Sequence, residues 1–366
     1  MKVYSHTLWI AVLLSLVFVS CKKDGSPDED KVVNIPVAPR TSDMVLIYLG
    51  GQHRPVWNTS QLKHYVFRKT DEQLEWLFDG FLFLEIQAKI NNKSYDFGSG
   101  TSYTLKPTKA EWEWLINKNF TSTYGPAAVE RLLDSLDRAG STVPFKRKIT
   151  IGIPSPIKGT EDWGSVDRVP LDFENEDDRV RAVKWYVDET IRRFKEKNFK
   201  YIELDGFYWI PESASSELPL MKRVVDYVHE TGHKISWIPY NYAPGADKWK
   251  EAGFDIAYQQ SNYFFELDKS IYIMSRALIF ARDNGMAMEM EFDKKIFQPG
   301  FLPLFYDYIE LYDKYNVWDS PSVAYYEGGG AWMEMAVSAD PEIQKAYKDL
   351  GDIVVRRQKA LGSSLR

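Results

Sequence analysis

Eight short apolar runs recur along the chain, each followed by a longer amphipathic stretch, and this alternation restricts the fold more than any other feature. The runs are MVLIYLGG (44–51), WLFDGFLFLEIQ (76–87), RKITIGIP (147–154), KYIELDG (200–206), HKISWIPY (233–240), FDIAYQQS (254–261), MAMEMEFD (286–293) and PSVAYYEGG (321–329). Eight is the number of parallel strands that closes a (β/α)8 TIM barrel. Between the runs, apolar residues return with helical spacing. Val180, Val183, Tyr186, Val187, Ile191 and Phe194 form one face, opposed by Arg179, Glu189, Arg192, Arg193 and Lys195. Leu220, Val224, Val225 and Val228 repeat the pattern before Gly232, and Ile271, Met274, Ala277, Leu278 and Ala281 before Gly285, with both glycines placed as C-caps. Segments 300–314 and 341–360 supply two more helices, while 61–68 leaves room for only a short one after the first run. An open doubly wound sheet would carry a glycine-rich phosphate loop after its first strand. Here Gly50-Gly51-Gln52-His53 does not extend to GxGxxG.

The first forty residues read differently. Lys2 gives a positive start, Leu8 to Val19 form an apolar run too short to span a bilayer comfortably, and Ser20 precedes the single cysteine, Cys21. VFVSC resembles a lipobox, so residues 1–20 read as a lipoprotein signal peptide and Cys21 as the lipidated (palmitate-bearing) N-terminus. Residues 21–43, in which KKDGSPDEDK follows Cys21 directly, read as the acylated cysteine and a flexible tether, and 44–366 as one barrel domain. LysLysAsp after the cysteine is similar to sorting signals of Gram-negative lipoproteins. The expectation is a bacterial outer-membrane lipoprotein, facing the surface or the periplasm and held to the membrane through its lipid anchor. One cysteine excludes a disulfide framework and a thiolate metal site. A net charge of -6 without a basic block argues against nucleic acid as partner. Histidines at 6, 53, 64, 229 and 233 give no paired ligand spacing, so no metal and no cofactor are expected, a carboxylate-bound calcium being left open. Nothing in the sequence sets an oligomeric state.

The acids are concentrated where a barrel keeps its chemistry, at the C-terminal ends of strands. Strand alternation places Glu203, Asp205 and Phe207 on one face, inward, with Ile202 and Leu204 outward. In the seventh run it places Glu289, Glu291 and Asp293 opposite Met288, Met290 and Phe292. Glu212 and Glu291 are the leading catalytic candidates, with Asp205 behind them. Two carboxyl groups facing each other across a pocket can cleave a glycosidic bond. The chain also has 12 Trp, 22 Tyr and 20 Phe, many of them beside amides and acids in loops. Aromatic faces next to hydrogen-bonding groups suit a carbohydrate ligand. The expected substrate-binding set is Glu85 after the second strand, Tyr208 and Trp209 at the fourth, Tyr240, Asn241 and Tyr242 at the fifth, Gln260, Asn262 and Tyr263 at the sixth, Glu289 at the seventh, and Tyr326 and Glu327 at the eighth. For Glu203 and Glu289, deeper in their strands, a structural ion pair has equal standing with function, and Glu327 either positions substrate or faces solvent. A non-catalytic glycan-binding lipoprotein on the same scaffold is the alternative. It would use the aromatics but has no need of two opposed carboxylates.

FDGFLFLE at 78–85, LDGFYWIPE at 204–212, YQQSNYFF at 258–265 and MEMEFD at 288–293 resemble the DUF4855 family of bacterial secreted and lipoprotein domains, over most of 44–358. The resemblance implies a (β/α)8 glycoside hydrolase, more distantly the retaining barrel clan with an acid/base after strand four and a nucleophile at strand seven. Those roles fall on Glu212 and Glu291. Pro211 stands where the clan has Asn, which keeps Asp205 as an alternative acid.

Overall fold

The computed structural model describes residues 41–51, 54–70, 73–98 and 104–361. The leader, Cys21 and nearly all of the tether therefore lie outside the described residues. Eight parallel strands close a barrel: β1 (Asp43–Tyr48), β2 (Gly80–Leu84), β3 (Arg147–Ile153), β4 (Ile202–Trp209), β5 (Lys234–Trp237), β6 (Ile256–Gln259), β7 (Ala287–Glu291) and β8 (Val323–Tyr326), with β1 paired to both β2 and β8. Each of the eight apolar runs overlaps one of them, with β1 starting one residue before its run and β4 continuing three residues beyond its run. Around them lie α1 (Thr59–Val66), α2 (Lys109–Asn119), α3 (Pro126–Arg138), α4 (Glu176–Lys197), α5 (Leu218–Glu230), α6 (Tyr272–Asn284), α7 (Phe301–Lys314), α8 (Ala331–Ala336) and α9 (Pro341–Leu361).

The helix boundaries follow from capping chemistry. Asn58 accepts the N–H groups of Ser60 and Gln61 while the Gln61 side chain accepts the N–H of Asn58, a capping box that starts α1. Glu176, Asp177 and Asp178 occupy the first turn of α4 and Lys195 and Lys197 its last, matching the helix dipole, and Asn198 ends it at φ 47°. Gly285 ends α6 at φ 62°. The pair α2 and α3, between β2 and β3, is absent from the sequence reading. The apolar positions of α2 are interrupted by charged residues and by Trp114, which is only half-buried, so its period is faint.

Side-chain direction in the strands decides what reaches the mouth. Along β1, Met44, Leu46 and Tyr48 point into the barrel and Val45 and Ile47 toward the helices. On β7 the methionines at 288 and 290 face outward, as the alternation predicts, and Glu289 and Glu291 face inward. On β4 the alternation breaks. Its pairing with β3 slips between Leu204 and Gly206, so Asp205 is an extra residue, a β-bulge. One inserted residue exchanges the faces of everything after it. Phe207 and Trp209 therefore pack outward in the main core, whereas Tyr208 and Ile210 point inward. Glycine is required at the bulge, because a Cβ on Gly206 would lie 2.0 Å from the Lys234 carbonyl oxygen.

The N-terminal face of the barrel is sealed by a buried polar network. Arg357 of α9 donates from Nε to Asp43 Oδ1 (2.7 Å), from Nη2 to the Ser42 carbonyl (2.7 Å) and from Nη1 to the carbonyls of Trp318 and Ser320. Tyr325 and Gln358 donate to the two oxygens of Asp43 at 2.7 and 2.8 Å. Asp79, just ahead of β2, accepts the N–H groups of Ser42 and Asp43. Glu203 belongs to this lower half and pairs with Lys148.

Candidate active site

At the opposite, C-terminal face, Glu291 is the last residue of β7 and is 2% exposed. The loop after β6 wraps its carboxylate. Oε2 accepts the backbone N–H of Ser261 (2.9 Å) and of Asn262 (2.7 Å), and lies 3.1 Å from Ser261 Oγ and 3.0 Å from the Tyr308 hydroxyl. Those two hydroxyls are 2.5 Å apart, so one donates to the carboxylate and the other to its neighbour. Oε1 accepts the Asn262 side-chain amide at 3.2 Å. Asn262 can present both its backbone and its side chain because it sits at φ 52°, a left-handed conformation that Asn tolerates. Asn241, after β5, clasps the same loop by donating its N–H to Asn262 Oδ1 (2.8 Å) and its amide to the Ser261 carbonyl (3.1 Å).

Glu212 is three residues beyond β4 and half-buried. Gln260 links it to Glu291. Gln260 Nε2 donates to Glu212 Oε1 (3.2 Å), Gln260 Oε1 accepts from Asn262 Nδ2 (2.9 Å), and the same Asn262 nitrogen donates to Glu291 Oε1 (3.2 Å). The two carboxyl groups are thus joined by two side-chain amides. Their environments differ. Burial, with a smaller push from the Glu291 charge, raises Glu212 to about 7 against the opposing Gln260 hydrogen bond. Glu291 is also raised by burial, but its donors pull the other way. Glu289, two residues earlier on the same face, is raised well above the ordinary range by burial and by the Glu291 and Glu212 charges, and neither of its oxygens has a hydrogen-bond partner among the described residues. Of the acids on β7, Glu289 is therefore the one with nothing to favour its ionised form, whereas the donors around Glu291 oppose the upward push of burial.

The sequence profile of a family described as "Domain of unknown function (DUF4855)" matches residues 43–352. The chain belongs to the DUF4855 family. No functionally curated protein matches it. Solved structures with similar chain traces include an intracellular xylanase from Thermoanaerobacterium saccharolyticum (11% identity, TM-score 0.42, covering 82% of this chain and 90% of that one). Others are the maltogenic α-amylase AmyB from Thermotoga neapolitana (12%, 0.42, 86% and 77%) and a GH113 β-1,4-mannanase (9%, 0.40, 86% and 98%). Likenesses this distant carry no weight for chemistry, which must come from the DUF4855 barrel's own residues.

In this DUF4855 domain several expected site residues lie elsewhere. Asp205 is not at the mouth: β4 continues to Trp209, and Gly206 is level with Lys234, the first residue of β5, so Asp205 sits near the N-terminal face beside Thr41 and Tyr258. Trp209, 1% exposed, is turned into the outer core by the bulge and meets the cleft beside Glu212 only as part of its buried wall, not as an exposed ring. Tyr263 is buried as well, its hydroxyl on Asp307 at 2.6 Å. Glu85 is an ion-pair partner, with Arg54 Nε and Nη2 donating to its two oxygens at 3.1 and 2.9 Å. Glu327 does not face solvent: it is buried and accepts from Tyr65, from the Gly330 N–H and from the Trp332 N–H, fixing the start of α8. Glu289 is buried, one inward position below Glu291, and is not paired with a cation among the described residues.

What does gather at the DUF4855 mouth is Glu212, Glu291, Gln260, Asn262, Asn241, Tyr208 beneath them, and the exposed rings of Tyr240 and Tyr242, with half-buried Tyr326 on the far side against Phe265. Ser261 and Tyr308 went unrecognised in the sequence. Ser261 lies within the quoted YQQSNYFF, whereas Tyr308 sits among the buried positions of α7 and only the fold brings it to Glu291. A cleft of about 380 Å³ opens beside Glu212, between the loops after β2 to β5. Among the described residues no group of three or more His, Cys, Asp or Glu is placed to hold a metal ion.

Proposed function

We propose that this barrel mouth hydrolyses a glycosidic bond in an oligo- or polysaccharide, with Glu212 as general acid/base and Glu291 as nucleophile. The observation that carries this reading is the amide bridge Glu212–Gln260–Asn262–Glu291, which holds two carboxyl groups of unlike environment at one opening. An acid with a pKa of about 7 keeps a proton to give to a leaving oxygen near neutral pH. Glu291 is anchored through Oε2, so Oε1, with the single amide donor, has the lone pair free to attack the anomeric carbon. The rings of Tyr240 and Tyr326 supply faces for sugar C–H groups and the amides supply hydrogen bonds. With this goes the cellular proposal: a chain acylated at Cys21 and anchored at the outer membrane would hold the mouth where extracellular glycan arrives.

The test is kinetic. Glu291→Gln should lose turnover on every substrate while still binding glycan. Glu212→Gln should recover its first step on an aryl glycoside whose leaving group needs no proton, with added azide speeding the second. Wild-type protein that binds glycan but cleaves nothing across a broad panel would leave the non-catalytic glycan-binding reading in its place.

A further inference from the structure

The cleft beside Glu212 is built with more positive charge than a neutral sugar needs. Arg179, in the first turn of α4, is 8% exposed and lines it. Its Nε donates to the Pro156 carbonyl (2.7 Å) and its Nη2 to Glu217 (2.5 Å), whereas Nη1 has no acceptor among the described residues. A nearly buried guanidinium with an open nitrogen beside a cavity is a donor waiting for an acceptor. Lys158, on the loop after β3, lines the same cleft. Its nearest acid is Glu174 at 3.9 Å, and its backbone is fixed because Lys106 Nζ donates to the carbonyls of Lys158 and Gly159, both at 2.9 Å. The hydroxyls of Ser213 and Ser215, 2.8 Å apart, add polar groups, and Ile86, Ile157 and Ile210 give an apolar wall below Tyr240.

We propose that this cleft binds an acidic sugar residue, through a uronate carboxylate or a sulfate ester, on the leaving-group side of the scissile bond. The charges in the cleft favour it. Glu217 is already engaged by Arg179, which leaves Lys158 and the open edge of Arg179 facing a cavity whose remaining acid, Glu212, acts in its protonated form. A charge-assisted hydrogen bond from an already positioned guanidinium is stronger than one to a neutral hydroxyl. An anion here also favours protonated Glu212, the form a general acid needs. The volume of about 380 Å³ falls in the range of about 300–1,000 Å³ typical of small-ligand sites. Only the assignment to the leaving-group side rests on the hydrolase reading.

Binding separates the two ideas. Oligogalacturonate, glucuronoxylan oligosaccharides and chondroitin sulfate oligosaccharides are each titrated by calorimetry against their carboxyl-reduced or desulfated forms. At least one acidic form should bind tenfold or more tightly than its neutral counterpart, and added salt should narrow the gap. Lys158→Glu, an exposed substitution that leaves the core alone, should abolish the preference, and Arg179→Lys should reduce it. Equal affinities for every acidic and neutral pair, or an undiminished preference in Lys158→Glu, would overturn the proposal. Preferential binding without cleavage would keep the acidic-sugar cleft and remove the hydrolase, and cleavage of neutral glycan without any acidic preference would do the reverse.

Discussion

Replacing Glu212 by Gln should stabilise the fold near neutral pH at the same time as it removes acid catalysis, and the gain should disappear in acid. Burial raises the Glu212 carboxyl from its ordinary 4.5 to about 7 in the folded chain, while the unfolded chain keeps the ordinary value. For a group whose folded pKa is raised, the folded state binds the proton more tightly. That contribution to stability is complete below the unfolded pKa and is lost as pH rises through the folded one. At about 1.4 kcal/mol per pKa unit, the shift corresponds to about 3 kcal/mol lost between roughly pH 4 and pH 8. Glu212 is half-buried, and solvent screening at the mouth trims this to about 2 kcal/mol. Gln does not titrate and keeps an acceptor for the Gln260 amide, so the variant escapes the loss. Urea unfolding of both proteins at several pH values measures the difference directly, since equal slopes make the midpoints comparable. The expected result is near-equality at about pH 4 and a variant more stable by about 2 kcal/mol at about pH 8. Glu327, also raised to about 7, is present in both proteins and cancels. A difference that does not change with pH, or a variant less stable at about pH 8, would refute the reasoning.

Three further outcomes are expected. Trp209→Ala should cost about 3–5 kcal/mol in unfolding free energy, whereas Tyr240→Ala, at an exposed ring, should change it by less than about 0.5 kcal/mol and weaken glycan binding instead. Arg357→Met should cost about 3–5 kcal/mol because it leaves Asp43 buried without its cation, and adding Asp43→Asn should recover part of that loss in a double-mutant cycle. Cys21→Ser should move the protein from the membrane to the soluble fraction, and unchanged fractionation would count against lipidation.

The barrel was legible because eight apolar runs and their helices repeat one pattern, and because Gly232 and Gly285 follow helix ends with φ > 0. The site was legible in part. On β7 strict alternation holds, so Glu291 could be placed from sequence. On β4 an extra residue at Asp205 exchanges the faces, and nothing in LDGFYW announces it except a glycine whose necessity comes from the neighbouring strand, which sequence does not display. Trp209 was therefore assigned to the wrong side and Asp205 to the wrong end. Glu85 and Glu327 show a second limit: an acid after a strand has the same appearance in sequence whether it awaits a ligand or is held by Arg54 or by the N–H groups of α8. Partner geometry, not residue type, separates the two.

The clasp between Asp43 and Arg357 joins residues 314 positions apart. Contacts of such long range are formed late, since the chain loses loop-closure entropy before they return any free energy. Until α9 docks, the seam between β1 and β8 has no cation at its base, and an unclosed barrel presents two open strand edges to other molecules. Closure of the ring should thus be the last step of folding. A chain truncated ahead of Arg357 should collect in an open, aggregation-prone state that binds hydrophobic dyes, with its helices largely formed but its barrel gaping.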